Sequence, residues 1–165
     1  MKRVIAILIL AFIVLSISFS TMPTAKPKIP KGAYGVWQVA SIKTTSPLYK
    51  SEYNDSKHNQ KVVDKENGAL WWAYSKGHAI VDHAYSEVGD GVWCVNEMHV
   101  GDIGTLTTSK TTTYYECTAI WKATQTRYVY KYDGTTISVK KGDIICVCCA
   151  DEDGYNYVAY FRRAA

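Results

Sequence analysis

Several features that would mark common protein classes are missing from this sequence. No stretch repeats its apolar residues at a helical period, so an architecture built from helices is not expected. Only four prolines occur in 165 residues, and three of them fall within Thr21 to Lys31 (TMPTAKPKIPK), which leaves the rest of the chain free to form strands. Lys and Arg are scattered singly among Asp and Glu and form no basic run. That pattern argues against nucleic acid as a partner. The whole chain carries +4, Lys2 and Arg3 supply two of those charges, and no acid precedes residue 26, so the remainder is nearly neutral. No Cys-x-x-Cys opens a helix, which argues against thioredoxin-type redox chemistry, and no second ligand pair stands at structural-zinc spacing. No metal and no cofactor is implied.

What is present suits one folded domain behind an export segment. With 47% hydrophobic and 13% aromatic residues the chain can bury a single ordinary core. Met1-Lys-Arg3 followed by the apolar run Val4 to Phe19 reads as the charged and hydrophobic regions of a targeting segment. Thr24-Ala25 suits a cleavage site, and a run shorter than the roughly 20 residues of a full span also suits a tilted membrane anchor through residues 4–19. Both readings place the protein outside the cell or on its surface. The organisation is therefore residues 1–25 as signal peptide or signal anchor, 26–34 as a Pro-containing tether, and 35–165 as the domain.

Within the domain the pattern is that of strands. Gly35 to Ile42 opens it with a β-type stretch, and Pro47 to Lys61 reads as a polar loop. Leu70 to Tyr74 and Ala79 to Asp82 are two strands joined across Ser75-Lys-Gly-His78, a connection of hairpin length. Thr111 to Lys122 is rich in Thr, Tyr, Ile and Trp, which fit a pleated, half-buried surface. Arg127 to Tyr132 meets Asp133-Gly134, a strong two-residue hairpin signal, and returns as Thr135 to Val139. Lys141 to Cys149 and Tyr155 to Arg162 make a last hairpin across an acidic loop. About eight strands with short connections point to an all-β closed barrel.

Two of these strands carry the chemistry. Lys141-Gly-Asp-Ile-Ile-Cys-Val-Cys-Cys149 is an apolar strand that runs into the turn-forming Ala-Asp-Glu-Asp-Gly154, and its last residue is a thiol. A nucleophile at the end of a buried strand is held rigidly yet stays within reach of a substrate. Gly77-His-Ala-Ile-Val-Asp-His83 has the same design and ends on an imidazole. An imidazole beside a thiol stabilises the thiolate or accepts its proton, which makes attack feasible at neutral pH. Cys149 and His83 are the candidate pair. Five cysteines cannot all pair within one exported chain, so at least one thiol is left over. Cys146 reads as a core residue, and a Cys94–Cys117 disulfide is left open. His78 lies an odd number of positions from His83 and would face the other side of a continuous strand.

These residues also carry a resemblance. The order of export segment, tether, strand ending in His, Gly-Asp turn, Tyr-rich strand, strand ending in Cys and one last strand resembles the sortases, cysteine transpeptidases of Gram-positive cell surfaces. Gln60-Lys-Val-Val-Asp-Lys-Glu-Asn-Gly-Ala-Leu70, Ile80-Val-Asp-His83, Val100-Gly-Asp-Ile103, Tyr115-Glu-Cys117 and Asp143 to Cys149 are similar to a compact sortase-like family of Firmicutes. The resemblance spans most of residues 35–161 and implies a sortase-like β-barrel. It also implies Cys149 as nucleophile, His83 as its histidine, and a peptide substrate with a sorting-type signal or a wall peptide. Two positions depart from the family: Cys148 stands where Thr usually precedes the nucleophile, and Gly154-Tyr-Asn-Tyr-Val158 stands where an Arg is usual.

Three readings follow, in order of preference: a cysteine transpeptidase or peptidase working through an acyl-thioester on Cys149, a non-catalytic extracellular β-barrel binding module, and a thiol–disulfide protein using the adjacent Cys148 and Cys149.

Overall fold

The computed structural model describes residues 26–53, 55–64, 68–82, 95–125, 129–131, 135–148 and 155–164. Nine strands occur among them: β1 (Gly35–Val39), β2 (Thr44–Tyr49), β3 (Ala69–Tyr74), β4 (Gly77–Asp82), β5 (Ile103–Thr108), β6 (Thr112–Gln125), β7 (Val129–Lys131), β8 (Ile144–Cys148) and β9 (Asn156–Arg163). Eight of them close on themselves in the order β5-β1-β2-β3-β4-β8-β9-β6, with β5 returning to pair with β6, and β7 is added only to the free side of β6. Two joints are parallel, β2 with β3 and β4 with β8, and the others are antiparallel. The expected closed barrel of about eight strands is therefore present, as a mixed rather than a purely antiparallel one.

Its members differ from expectation in three places. Pro47 to Lys61 is not a loop: Pro47 lies inside β2, and Ser56–Val63 forms a helix, α1. Pro47 is tolerated because β2 pairs with β3 only from Leu48 onward, so a missing N–H on that side breaks no ladder. The helix starts at Asp55, whose carboxylate accepts the His58 N–H at 2.9 Å, and Lys61 stands in its last turn. Eight residues with only Val62 and Val63 buried leave no apolar period to detect. The strand β5 went unrecognised because its sequence, Ile-Gly-Thr-Leu-Thr-Thr, holds only two strongly apolar residues. Thr135 to Val139 is not a regular strand; it crosses the outer face of the sheet and buries Ile137 and Val139 against Tyr74, Ile145, Val147 and Val158. An alternating apolar pattern fits such a strap as well as it fits a strand.

The barrel interior is filled around Trp37, which is fully buried and meets Phe161 (5.1 Å between ring centroids, 86°) and Tyr115 (5.6 Å, 61°) edge-on. Leu48, Ile80, Ile144, Cys146 and Cys148 line the same interior. The indole lies against the backbone of β5 at Gly104, where a Cβ would collide with its six-membered ring. Glycine at this position lets the largest core side chain fit inside the barrel. Gly104→Ala should lower stability by about 1–3 kcal/mol, the usual cost of overpacking a filled core. The check is the urea midpoint, which should fall while the slope of the transition stays unchanged.

Candidate functional site

The site is assembled from the parallel joint between β4 and β8. Five rungs run from His78–Ile144 to Asp82–Cys148, so the two strands, which come from distant parts of the chain, end side by side. His83 and Cys149 are the next residue after each strand and lie outside the described residues. The structure thus brings together the two strand ends that lead to the expected pair.

The joint is held hardest at its other end. A Cβ on Gly77 would stand 2.5 Å from the carbonyl oxygens of Asp143 and Lys140, so β4 can begin this close to the turn before β8 only with glycine. The His78 N–H donates to the Asp143 carbonyl at 3.1 Å. The Asp143 carboxylate accepts the Tyr160 hydroxyl at 2.8 Å and the Arg163 N–H at 3.1 Å, and the Tyr160 oxygen accepts the Lys140 N–H at 3.1 Å. A buried acid with two donors is satisfied, and here it fastens β9 to the entrance of β8.

At the upper end, where β4 and β8 finish, three buried polar side chains lie on neighbouring strands. Asp82 occupies the last rung of β4, Cys148 the last of β8, and Asn156 the first position of β9. Cys148 points into the interior cluster and its thiol donates to the Tyr157 carbonyl at 3.8 Å. The adjacent Cys148–Cys149 pair of the thiol–disulfide reading involves Cys149, which lies outside the described residues. Asp82 was passed over in the sequence, although alternation from Ile80 puts it on the interior face and a carboxylate there calls for a task. The described arginines, Arg162 and Arg163, sit at the far end of β9, level with Glu116 and Tyr115, so neither replaces the Arg of the resemblance.

His78 has a different role from the one sought in His83. Its ring stacks on Trp71 at 4.3 Å and 14°, Trp71 in turn stacks on Tyr34 at 5.2 Å, and the Lys50 ammonium stands 4.3 Å above the Tyr34 ring. Burial, aided by the charge of Lys50, holds the His78 imidazole below its ordinary value, so it stays neutral and packs as an aromatic plate.

The remaining described thiols are structural. Cys117 and Cys146 are free and buried, so Cys117 is not held in a disulfide with Cys94, itself outside the described residues. Burial pushes Cys117 up to about 11, opposed in part by a backbone hydrogen bond of Ala119, and raises Cys146 well above the ordinary thiol range. Neither is a thiolate near neutrality, and neither competes with an accessible thiol for an electrophile.

No family model matches the chain, and no curated protein matches it either. Solved structures do match. A pilus-related sortase C of Group B Streptococcus superposes with a TM-score of 0.60 at 11% identity, covering 90% of this chain and 78% of that one. The sortase C2 of Group B Streptococcus pilus island 1 gives 0.60 at 15% identity, covering 86% and 83%. A Clostridium perfringens sortase D5 transpeptidase gives 0.55 at 14%, covering 84% and 83%. The class that the barrel defines is thus the closed mixed β-barrel with a parallel joint, and its particular fold is the sortase fold.

The raised thiols make stability depend on alkaline pH in a defined direction. The unfolded chain ionises Cys117 near 9.0 and the folded chain only near 11, so stability is whole below about pH 9 and declines as pH rises through about 11. Tyr115 and Tyr160, raised above 10.0 chiefly by burial, add to the decline. Urea midpoints measured across this range should fall for the parent and fall less for Cys117→Ala; a flat parent profile would contradict the assignment.

Proposed function

We propose that this protein is a sortase-like cysteine transpeptidase or peptidase acting on exported peptides, with Cys149 as nucleophile and His83 as its acid–base partner. One observation carries the reading: β4 and β8 pair in parallel with Asp82 opposite Cys148, so the strands that lead into His83 and Cys149 finish next to each other at one end of a sortase fold. The chemistry then follows from the residue types. The thiolate of Cys149 attacks the substrate carbonyl, His83 protonates the leaving amine, and the resulting acyl-thioester passes to an incoming amine or to water. Backbone N–H groups beyond Cys149 and the buried Asn156 amide, the polar group at the start of β9, are the donors available to the tetrahedral oxygen.

The substrate class comes from the neighbours. One solved match is described by its pilin substrate specificity and another as pilus-related. A peptide with a sorting-type signal, or a wall peptide, is the corresponding substrate here. Export through residues 1–25, with anchoring through residues 4–19 where that segment is retained, would bring enzyme and substrate together. No helix among the described residues is long and apolar enough to cross a membrane, and the apolar run itself lies outside them.

The pair should act as a unit. Cys149→Ala and His83→Ala should each remove nearly all acyl transfer from a pool of exported peptides, and the double variant should lose little more. Both variants should unfold within about 1 kcal/mol of the parent, since each change falls just beyond a strand end. Timed alkylation should label Cys149 before Cys117 and Cys146, and mass spectrometry should find the acyl group on Cys149. Folded variants together with a parent that forms no acyl-enzyme would replace this reading with that of a non-catalytic binding module.

A further inference from the structure

We propose that the lower end of the barrel, opposite the strand ends leading to His83 and Cys149, is a docking surface for an anionic lipid bilayer. The tether enters β1 at this end, the β3–β4 and β5–β6 turns lie here, and so do the start of β8 and the end of β9. Each of these elements brings cations. Lys76 is in the first turn, Lys110 in the second, Lys140 and Lys141 precede β8, and Arg162 and Arg163 close β9, all exposed. The three lysines of residues 26–34 lie just outside β1 and are exposed as well.

Among the described residues little opposes this charge. Asp143 is buried and occupied by Tyr160 and the Arg163 N–H, and Asp55 is engaged with His58 on the helix side. Glu52 and Glu116 are the exposed carboxylates on neighbouring segments, and none of the six named barrel cations forms an ion pair among the described residues. Residues that alternate in sign along the sequence are thereby separated in space. An isolated basic end on a nearly neutral domain feels an anionic surface within a Debye length, about 10 Å at 0.1 M salt.

Two further observations select a bilayer over a soluble polyanion. The exposed large hydrophobic side chains among the described residues are Tyr34, Tyr53, Tyr114 and Val100, and Tyr34, just before β1, and Tyr114, near the start of β6, lie at this end. Tyrosine and tryptophan with one apolar and one wet side are the residues of membrane interfaces. Beside them a groove of about 330 Å³ runs between Lys50–Ser51 and Trp71–Ala73, where β2 and β3 diverge, which gives a cation and an aromatic wall for a headgroup. The chain outside the structure also leaves from here: residue 26 precedes β1 at this end, and Val4 to Phe19 lies before it. The docked barrel would present Asp82 and Cys148 away from the membrane. The inference stands independently of the catalytic reading.

The full chain reconstituted into phosphatidylcholine vesicles, with and without phosphatidylglycerol, provides the test, read by amide hydrogen exchange. The turns at Lys76, Lys110 and Lys141 should exchange about tenfold more slowly in the anionic vesicles than in the neutral ones. Raising the salt to about 1 M, where the Debye length shrinks to about 3 Å, should erase the difference. The combined Lys76→Glu, Lys110→Glu and Lys141→Glu variant should lose the protection while its core strands exchange as in the parent; if it proves unstable, the corresponding Gln variant serves. Equal protection in both lipids, or protection that survives in the variant, would overturn the proposal. Protection by soluble polyphosphate or a DNA duplex with none from anionic vesicles would overturn the lipid assignment in favour of a polymer.

Discussion

The close approach of β4 to the turn before β8 is the contact on which the rest of the barrel's working end depends. Parallel strands cannot be joined by a tight turn, so the β4–β8 joint must be made by tertiary pairing alone. Gly77 removes the one Cβ that would hold the strands apart, and the Asp143 carbonyl accepts the His78 N–H, which begins the register. Five rungs later that register places Asp82 beside Cys148. A slip of β8 by one residue would turn Cys146 and Cys148 out of the interior and bring Val147 in. Burial on both sides of these strands makes such a slip costly, so the joint fixes with some precision where each strand stops.

The same burial sorts the thiols. Cys117 and Cys146, both on strands and both in an apolar setting, are driven toward the neutral form, because burial penalises the thiolate. An odd count of cysteines therefore does not mean several reactive thiols. Cys117 and Cys146 serve as small core residues.

The two ends of the barrel differ in chemistry for a topological reason. Strands β2, β3, β5 and β6 either end or begin at the lower end, together with the tether, and their turns are where exposed lysines are tolerated. The upper end collects instead the strand termini of β4 and β8 and the first residue of β9, which bring a carboxyl, a thiol and an amide into buried positions. A closed barrel keeps these sets apart by the length of its strands. That separation puts the exposed cations and the buried polar strand termini at opposite ends.

Alternation and turn chemistry made much of this legible from the residues alone. The β3–β4 hairpin, the long β6 and the apolar β8 all follow from patterns within a dozen residues. What lay beyond reach was set by contacts between distant segments. Helix α1 has only Val62 and Val63 to bury and is held by an Asp55 cap and by packing against Leu70, a partner the local pattern does not reveal. Strand β5 is polar enough to pass for a loop until β1 and β6 pair on either side of it. Asp82 reads as an ordinary strand-end acid until the parallel joint sets it against Cys148. The basic end is the plainest case: its cations are single in the sequence and become neighbours only when barrel closure brings five separate segments to one end. Local sequence determined which stretches extend and which turn, because those preferences act through a few bonds. Tertiary structure alone decided which strand ends and which charges meet, because that depends on pairings between residues far apart in the chain.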